Sequence, residues 1–129
     1  MSIKIKYTKI KSNKITLNTV LFVNEKFNTS HIKNLISNNE FSYINDLLKT
    51  SDLKKKLLVF NVNSKKKIIL ISVKNNLKSF DIENLGAELY VYINQGKDDI
   101  FNLNTDSLLD KNKNFIGHFL HGLKLKSYQ

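Results

Sequence analysis

The residues best spaced for chemistry lie near the end of the chain, where His118 and His121 stand three apart in an apolar-periodic stretch. That spacing places two imidazoles on one helical face, as a shared zinc ion would require. His31 is the only other His, Cys is absent, and no carboxylate falls at a matching position in the helix pattern, so a solvated polar face is the simpler reading. Asp98-Asp99 could form an acidic site, but beside Gln95-Gly96-Lys97 the pair reads as a turn entering a strand. Two lysine runs, Lys54-Lys55-Lys56 and Lys65-Lys66-Lys67, flank an apolar stretch. They could form a phosphate-contacting rim. The favoured reading is that they are gatekeepers keeping an apolar strand from edge pairing.

Other machinery is missing from the sequence. Four Gly leave no Gly-rich loop to cradle a pyrophosphate, and no Gly-x-Ser-x-Gly, His-Glu-x-x-His or P-loop pattern occurs. The turn Val73-Lys74-Asn75-Asn76 offers at most weak anion binding. No residue of this chain is therefore assigned as catalytic, metal-binding or cofactor-binding, and the domain alone is read as non-enzymatic.

Composition sets the frame for these residues. The 129 residues, 41% hydrophobic, suffice for one domain with its own core. The absence of Cys excludes disulfides and thiolate chemistry and fits a reducing compartment. No apolar run is long enough to span a bilayer, and Met1–Tyr7 lacks the apolar centre of a signal peptide, so a cytoplasmic protein without a membrane partner is expected. The net charge of +10 suggests an anionic partner such as nucleic acid. Against that, every basic residue is Lys, and Arg is the residue that makes bidentate contacts to guanine and phosphate. The 13 Phe and Tyr residues fall mostly at core spacing and are not interleaved with the lysine runs as a base-stacking platform would be.

The elements that must position these groups follow from periodicity. Ile3 to Tyr7 alternates as a half-buried strand, and a polar break at Lys11-Ser12-Asn13-Lys14 precedes Thr19–Val23, a β-branched run suited to a central strand. Thr29 or Ser30 is placed to cap a helical region with Ile32, Leu35 and Ile36, interrupted by Ser37-Asn38-Asn39. Phe41, Ile44, Leu47 and Leu48 then mark a second helical face ending near Lys49–Asp52. Leu57–Val62 and Ile68–Val73, joined by Asn63-Ser64-Lys65-Lys66, predict an antiparallel hairpin whose second strand is covered on both faces. Ser79 or Asp81 is predicted to cap a helix carrying Ile82, Leu85, Leu89, Tyr90 and Ile93, with Gly86 and Ala87 allowing close approach to the sheet. A short strand at Ile100–Leu103 follows. The last helix presents Phe115, Ile116, Phe119, Leu120 and Leu123 on one side and His118, His121 and Lys124 on the other. This order predicts a three-layer α/β/α domain with a mixed central sheet.

Four stretches add a resemblance. Phe41–Leu48, Lys67–Lys74, Ile82–Glu88 and above all Gly122-Leu123-Lys124-Leu125-Lys126-Ser127-Tyr128 resemble segments of the N-terminal domain of the cytosol (leucyl) aminopeptidase family, over about residues 15–129. Two departures stand out: the Ser72-Val73-Lys74 turn lacks the family's Gly, and His121 stands where an acidic residue is common. The resemblance implies a macro-domain-like fold and a single non-catalytic N-terminal domain at 1–129. It also implies a parent that is a two-metal exopeptidase using zinc, manganese or magnesium, a cytoplasmic homohexamer. The parent's ligands and catalytic residues would sit in a C-terminal metallopeptidase domain absent from this chain, which would be this domain's partner. On this reading Phe115 to Leu123 is the last packed helix, Ser127-Tyr128 begins the bridge, and the chain is cut at a junction. The alternative expectation is a basic macro-like module that binds nucleic acid or a nucleotide.

Overall fold

The computed structural model describes residues 4–8, 18–63, 66–95, 100–108 and 114–128. The expected break at Lys11–Lys14, the hairpin tip Ser64-Lys65, the Asp98-Asp99 pair and Gln129 lie outside the described residues, as do the side chains of the first strand.

Within these bounds the chain forms β1 (Lys4–Thr8), β2 (Asn18–Asn24), α1 (Asn38–Leu48), β3 (Leu57–Asn63), β4 (Lys66–Val73), α2 (Ser79–Asn94), β5 (Ile100–Asn104) and α3 (Phe115–Ser127). It is an α/β fold. Four strands make a mixed sheet in the order β3-β4-β2-β5, and β1 adds to it at the free side of β5. β3 and β4 are the expected antiparallel hairpin, with a register shift between Asn61 and Asn63. The pairs β2–β4, β2–β5 and β1–β5 are parallel. Parallel neighbours cannot be joined by a tight turn. The stretch through α1 and β3 links β2 to β4, and α2 links β4 to β5.

Alternation along the two central strands divides the core. Val20 and Phe22 of β2 and Ile69 and Ile71 of β4 join Phe101 and Leu103 of β5 and the buried faces of α2 and α3. Leu21 and Val23, with Ile68 and Leu70, join a second cluster with Phe27, Ile32, Leu35, Ile36, Phe60 and Ile44 of α1. Successive strand residues point to opposite faces, so Val20–Val23 of β2 and Ile68–Ile71 of β4 are all apolar because each meets one cluster or the other.

Four local expectations need correction. The stretch before α1 is only a 3-10 turn at Ser30–Ile32. Ser37 does not interrupt a helix; it caps one. Its Oγ accepts from the Glu40 N–H at 3.1 Å, and its own N–H donates to Glu40 Oε1 at 3.0 Å. Ser37-x-x-Glu40 is the sequence signature of this reciprocal cap. At α2 neither Ser79 nor Asp81 is the capping residue; Lys78 holds that position, and Asp81 accepts from its N–H at 3.2 Å. Finally, α3 does not end before the Gly-Leu-x-Leu-x-Ser-Tyr stretch but runs through it to Ser127, with Tyr128 84% exposed.

Gly86 also serves a different neighbour from the one expected. A Cβ there would overlap the carbonyl oxygen of Phe119 in α3 rather than meet the sheet. Gly122 makes the reciprocal contact, since a Cβ on it would overlap the Glu83 carbonyl of α2. Two glycines, one from each helix, thus let the backbones of α2 and α3 touch. Gly117 faces open space.

Candidate functional site

Among the described residues, the best-placed hollow lies over the carboxyl ends of the three central parallel strands. It measures about 230 Å³ and is lined by Phe22, Val23 and Asn24 of β2, Val73 with Lys74 and Asn75 after β4, and Leu108 after β5. The topology opens it. The chain leaving β2 packs into the cluster around Ile32 and Ile44, whereas the helices after β4 and β5 pack into the cluster around Phe115 and Phe119. Segments that part over adjacent strand ends leave a crevice, the usual place for a ligand in an open α/β sheet.

Its β2 wall is held in detail. β2 pairs with β5 only over Asn18–Val20, so the main chain of Phe22 needs other partners. The Phe22 N–H donates to Ser107 Oγ at 2.8 Å, and that hydroxyl donates to the Asn104 carbonyl at 2.7 Å. The Phe22 carbonyl accepts from His31 Nε2 at 2.9 Å, which fixes His31 as the Nε2–H tautomer in this contact. The Phe22 ring meets Phe115 and Phe119 edge-on, with centroids 5.5 and 5.3 Å away. Beyond it, Asn24 Oδ1 accepts from the N–H groups of Lys26 and Asn28 and closes the exit turn. Phe27 takes a positive φ of 56° in that turn, a strained state for a bulky residue, while its side chain is buried in the core.

The β4 wall is the turn that sequence marked as a weak anion binder. Asn76 supplies the positive φ, 61°, that a glycine would ordinarily supply, which explains how this turn forms without Gly. Lys74 is exposed and also lines an adjoining hollow of about 260 Å³ with Lys56, Ser72, Leu77, Asp81 and Leu85. Among the described residues, the lining of the first hollow has one cation and no carboxylate, which suits a small anion.

The other sequence candidates are dispersed. His118 is half-buried and His121 is exposed; His121 Nδ1 lies 3.3 Å from Glu83 Oε2. The sequence offered no carboxylate near these histidines, but the α2–α3 crossing brings one from 38 positions away. Among the described residues no group of three His, Asp or Glu could hold a metal. None of the helices described is long and apolar enough to cross a membrane.

The two lysine runs behave differently from each other. Lys54, Lys55 and Lys56 are exposed, and Lys56 approaches Glu88 only at 3.9 Å. In the second run the gatekeeper reading is overturned for Lys66. Its side chain is 8% exposed and its Nζ pairs with Glu40 Oε2 at 2.9 Å. Burial pushes the Glu40 carboxyl up, but the hydrogen bonds from Lys66 and Ser37 and the Lys66 charge outweigh it and leave the group below its ordinary range. Lys67 donates its N–H to Asn18 Oδ1 at 2.8 Å and holds its Nζ 5.9 Å from the Tyr92 ring centre. Lys66 and Lys67 belong to a strand with two covered faces, so their side chains are drawn against neighbouring elements instead of forming a rim.

No protein-family model, curated protein or solved structure matches this chain.

Proposed function

We propose that this chain is a three-layer α/β/α, macro-domain-like module of the kind that forms the non-catalytic N-terminal domain of leucyl aminopeptidases. One observation carries the reading. Two of the four stretches that bear the resemblance, Ile82–Glu88 and Gly122–Tyr128, meet at the α2–α3 crossing, each contributing the glycine that the other's backbone requires. A third, Lys67–Lys74, is the buried strand β4 beside them. The small residues that make the motifs recognisable therefore have a joint packing role.

On this reading the module packs against a two-metal catalytic domain, helps assemble a cytoplasmic hexamer, and leaves peptide hydrolysis to that second domain. Residues 1–129 supplied with manganese then release nothing from leucyl-amide substrates. Turnover that persists through purification to homogeneity contradicts the assignment.

The crevice over the strand ends favours a second reading, a basic macro-like module that binds a nucleotide or nucleic acid. Lys74 would contact a phosphate there. Such binding weakens steeply with salt and is lost in Lys74→Glu; flat, negligible binding at low salt sinks it.

A further inference from the structure

We infer that Asn102 and Asn104 of β5 form a buried water-binding site on the face of the sheet shared with Leu21 and Val23. The two residues are 2% and 1% exposed. Among the described residues, neither Oδ1 nor Nδ2 of Asn102 has a hydrogen-bond partner, and Nδ2 of Asn104 has none. Asn104 cannot be turned by exchanging its oxygen and nitrogen, since its Oδ1 accepts from the Asp106 N–H at 2.9 Å.

Position in the sheet explains why these amides are together. Phe101 and Leu103 point into the cluster with α2 and α3, so Asn102 and Asn104 share the opposite face of β5. Asn102 stands in register between Lys6 of β1 and Thr19 of β2, and Asn104 opposite Thr8. On the same face, β2 and β4 contribute Leu21, Val23, Ile68 and Leu70 to an apolar cluster. Apolar residues would therefore suit this face chemically, yet β5 carries two carboxamides.

Buried amides are satisfied in folded proteins almost without exception, and internal water is the common partner where protein groups are missing. The spacing fits. Residues two apart on a strand are separated by about 6.4–6.8 Å at Cα, and two hydrogen bonds to one oxygen span up to roughly 6 Å. One water can accept from Nδ2 of both residues and donate to Asn102 Oδ1, which accounts for all three atoms. The site asks for a molecule that both donates and accepts, as water does.

A crystal structure of the wild-type protein at a resolution that shows ordered solvent tests this directly. Density of one-water size within about 3.2 Å of Asn102 and of Asn104 Nδ2 is expected. Density for a larger solute, or a protein group bonded to the Asn102 amide, overturns it, as does a dry site. Thermal melts of Asn102→Leu give an independent reading. Loss of the bridge leaves Asn104 Nδ2 unpaired, so the midpoint falls by about 4–8 °C. A rise overturns the inference, because it would mean that the amide had no partner to lose.

Discussion

Gly122 of α3 lies against the main chain of Glu83 in α2, so closely that a methyl group on it would overlap the Glu83 carbonyl. Gly86 stands in the same relation to Phe119. Alanine at either position must push two helix backbones apart, and no side chain can rotate away to relieve the overlap. Alanine's better helix propensity, worth about 1 kcal/mol, offsets only part of that. Gly122→Ala and Gly86→Ala are each expected to destabilise the fold by roughly 2–3 kcal/mol net in urea melts. Gly117→Ala has open space and is expected to be neutral or up to about 1 kcal/mol stabilising.

The Glu40–Lys66 pair couples the start of α1 to the start of β4 at 2.9 Å. Both side chains are largely buried, so removing one partner strands the other. Lys66→Met is expected to cost about 3–5 kcal/mol, and adding Glu40→Gln should recover much of that loss. A double-mutant cycle by chemical denaturation measures the coupling.

The same pair gives stability a pH dependence. The carboxyl of Glu40 is held below its ordinary range in the folded state, chiefly by Lys66 and Ser37 against the opposing effect of burial. A depressed folded value means that the contribution is fully present above the unfolded value, about 4.3. It is lost as pH falls through the folded value. Denaturation curves from neutral to acid pH should show this loss in the wild type and a shallower one in Glu40→Gln. Identical profiles would refute the coupling.

Ser107 takes the place of a strand where β5 has ended. Ser107→Ala leaves the buried Phe22 N–H without its acceptor and is expected to cost about 1–3 kcal/mol. Amide hydrogen exchange at Phe22 should accelerate by the corresponding factor, while unchanged exchange would mean that another group takes over.

Much of this architecture is legible in the sequence because it is periodic. The unbroken apolar run Ile68–Ile71 is a strand with two covered faces, and the spacing of Ile82, Leu85, Leu89 and Ile93 gives the buried side of α2. What escapes is non-local. Lys66 sits in a lysine run and reads as solvated, because nothing in its neighbourhood announces Glu40 across the fold. Gly86 reads as a sheet contact because only the assembled helices show that α3 is the nearer backbone. Ser37 is a different case. Its signal, a serine followed three residues on by Glu40, is present in the sequence, but the adjacent Asn38-Asn39 disguises it as a break. The crevice arises from the divergence of three connections, and no single segment encodes it.

We propose kinship with the non-catalytic N-terminal domains of leucyl aminopeptidases, a proposal that can be tested outside the chain itself. The most direct measurement is the coding sequence downstream of the Gln129 codon. The account predicts an open frame that continues into a second domain carrying the Lys, Asp and Glu residues of a two-metal site. A stop codon immediately after Gln129 would contradict it.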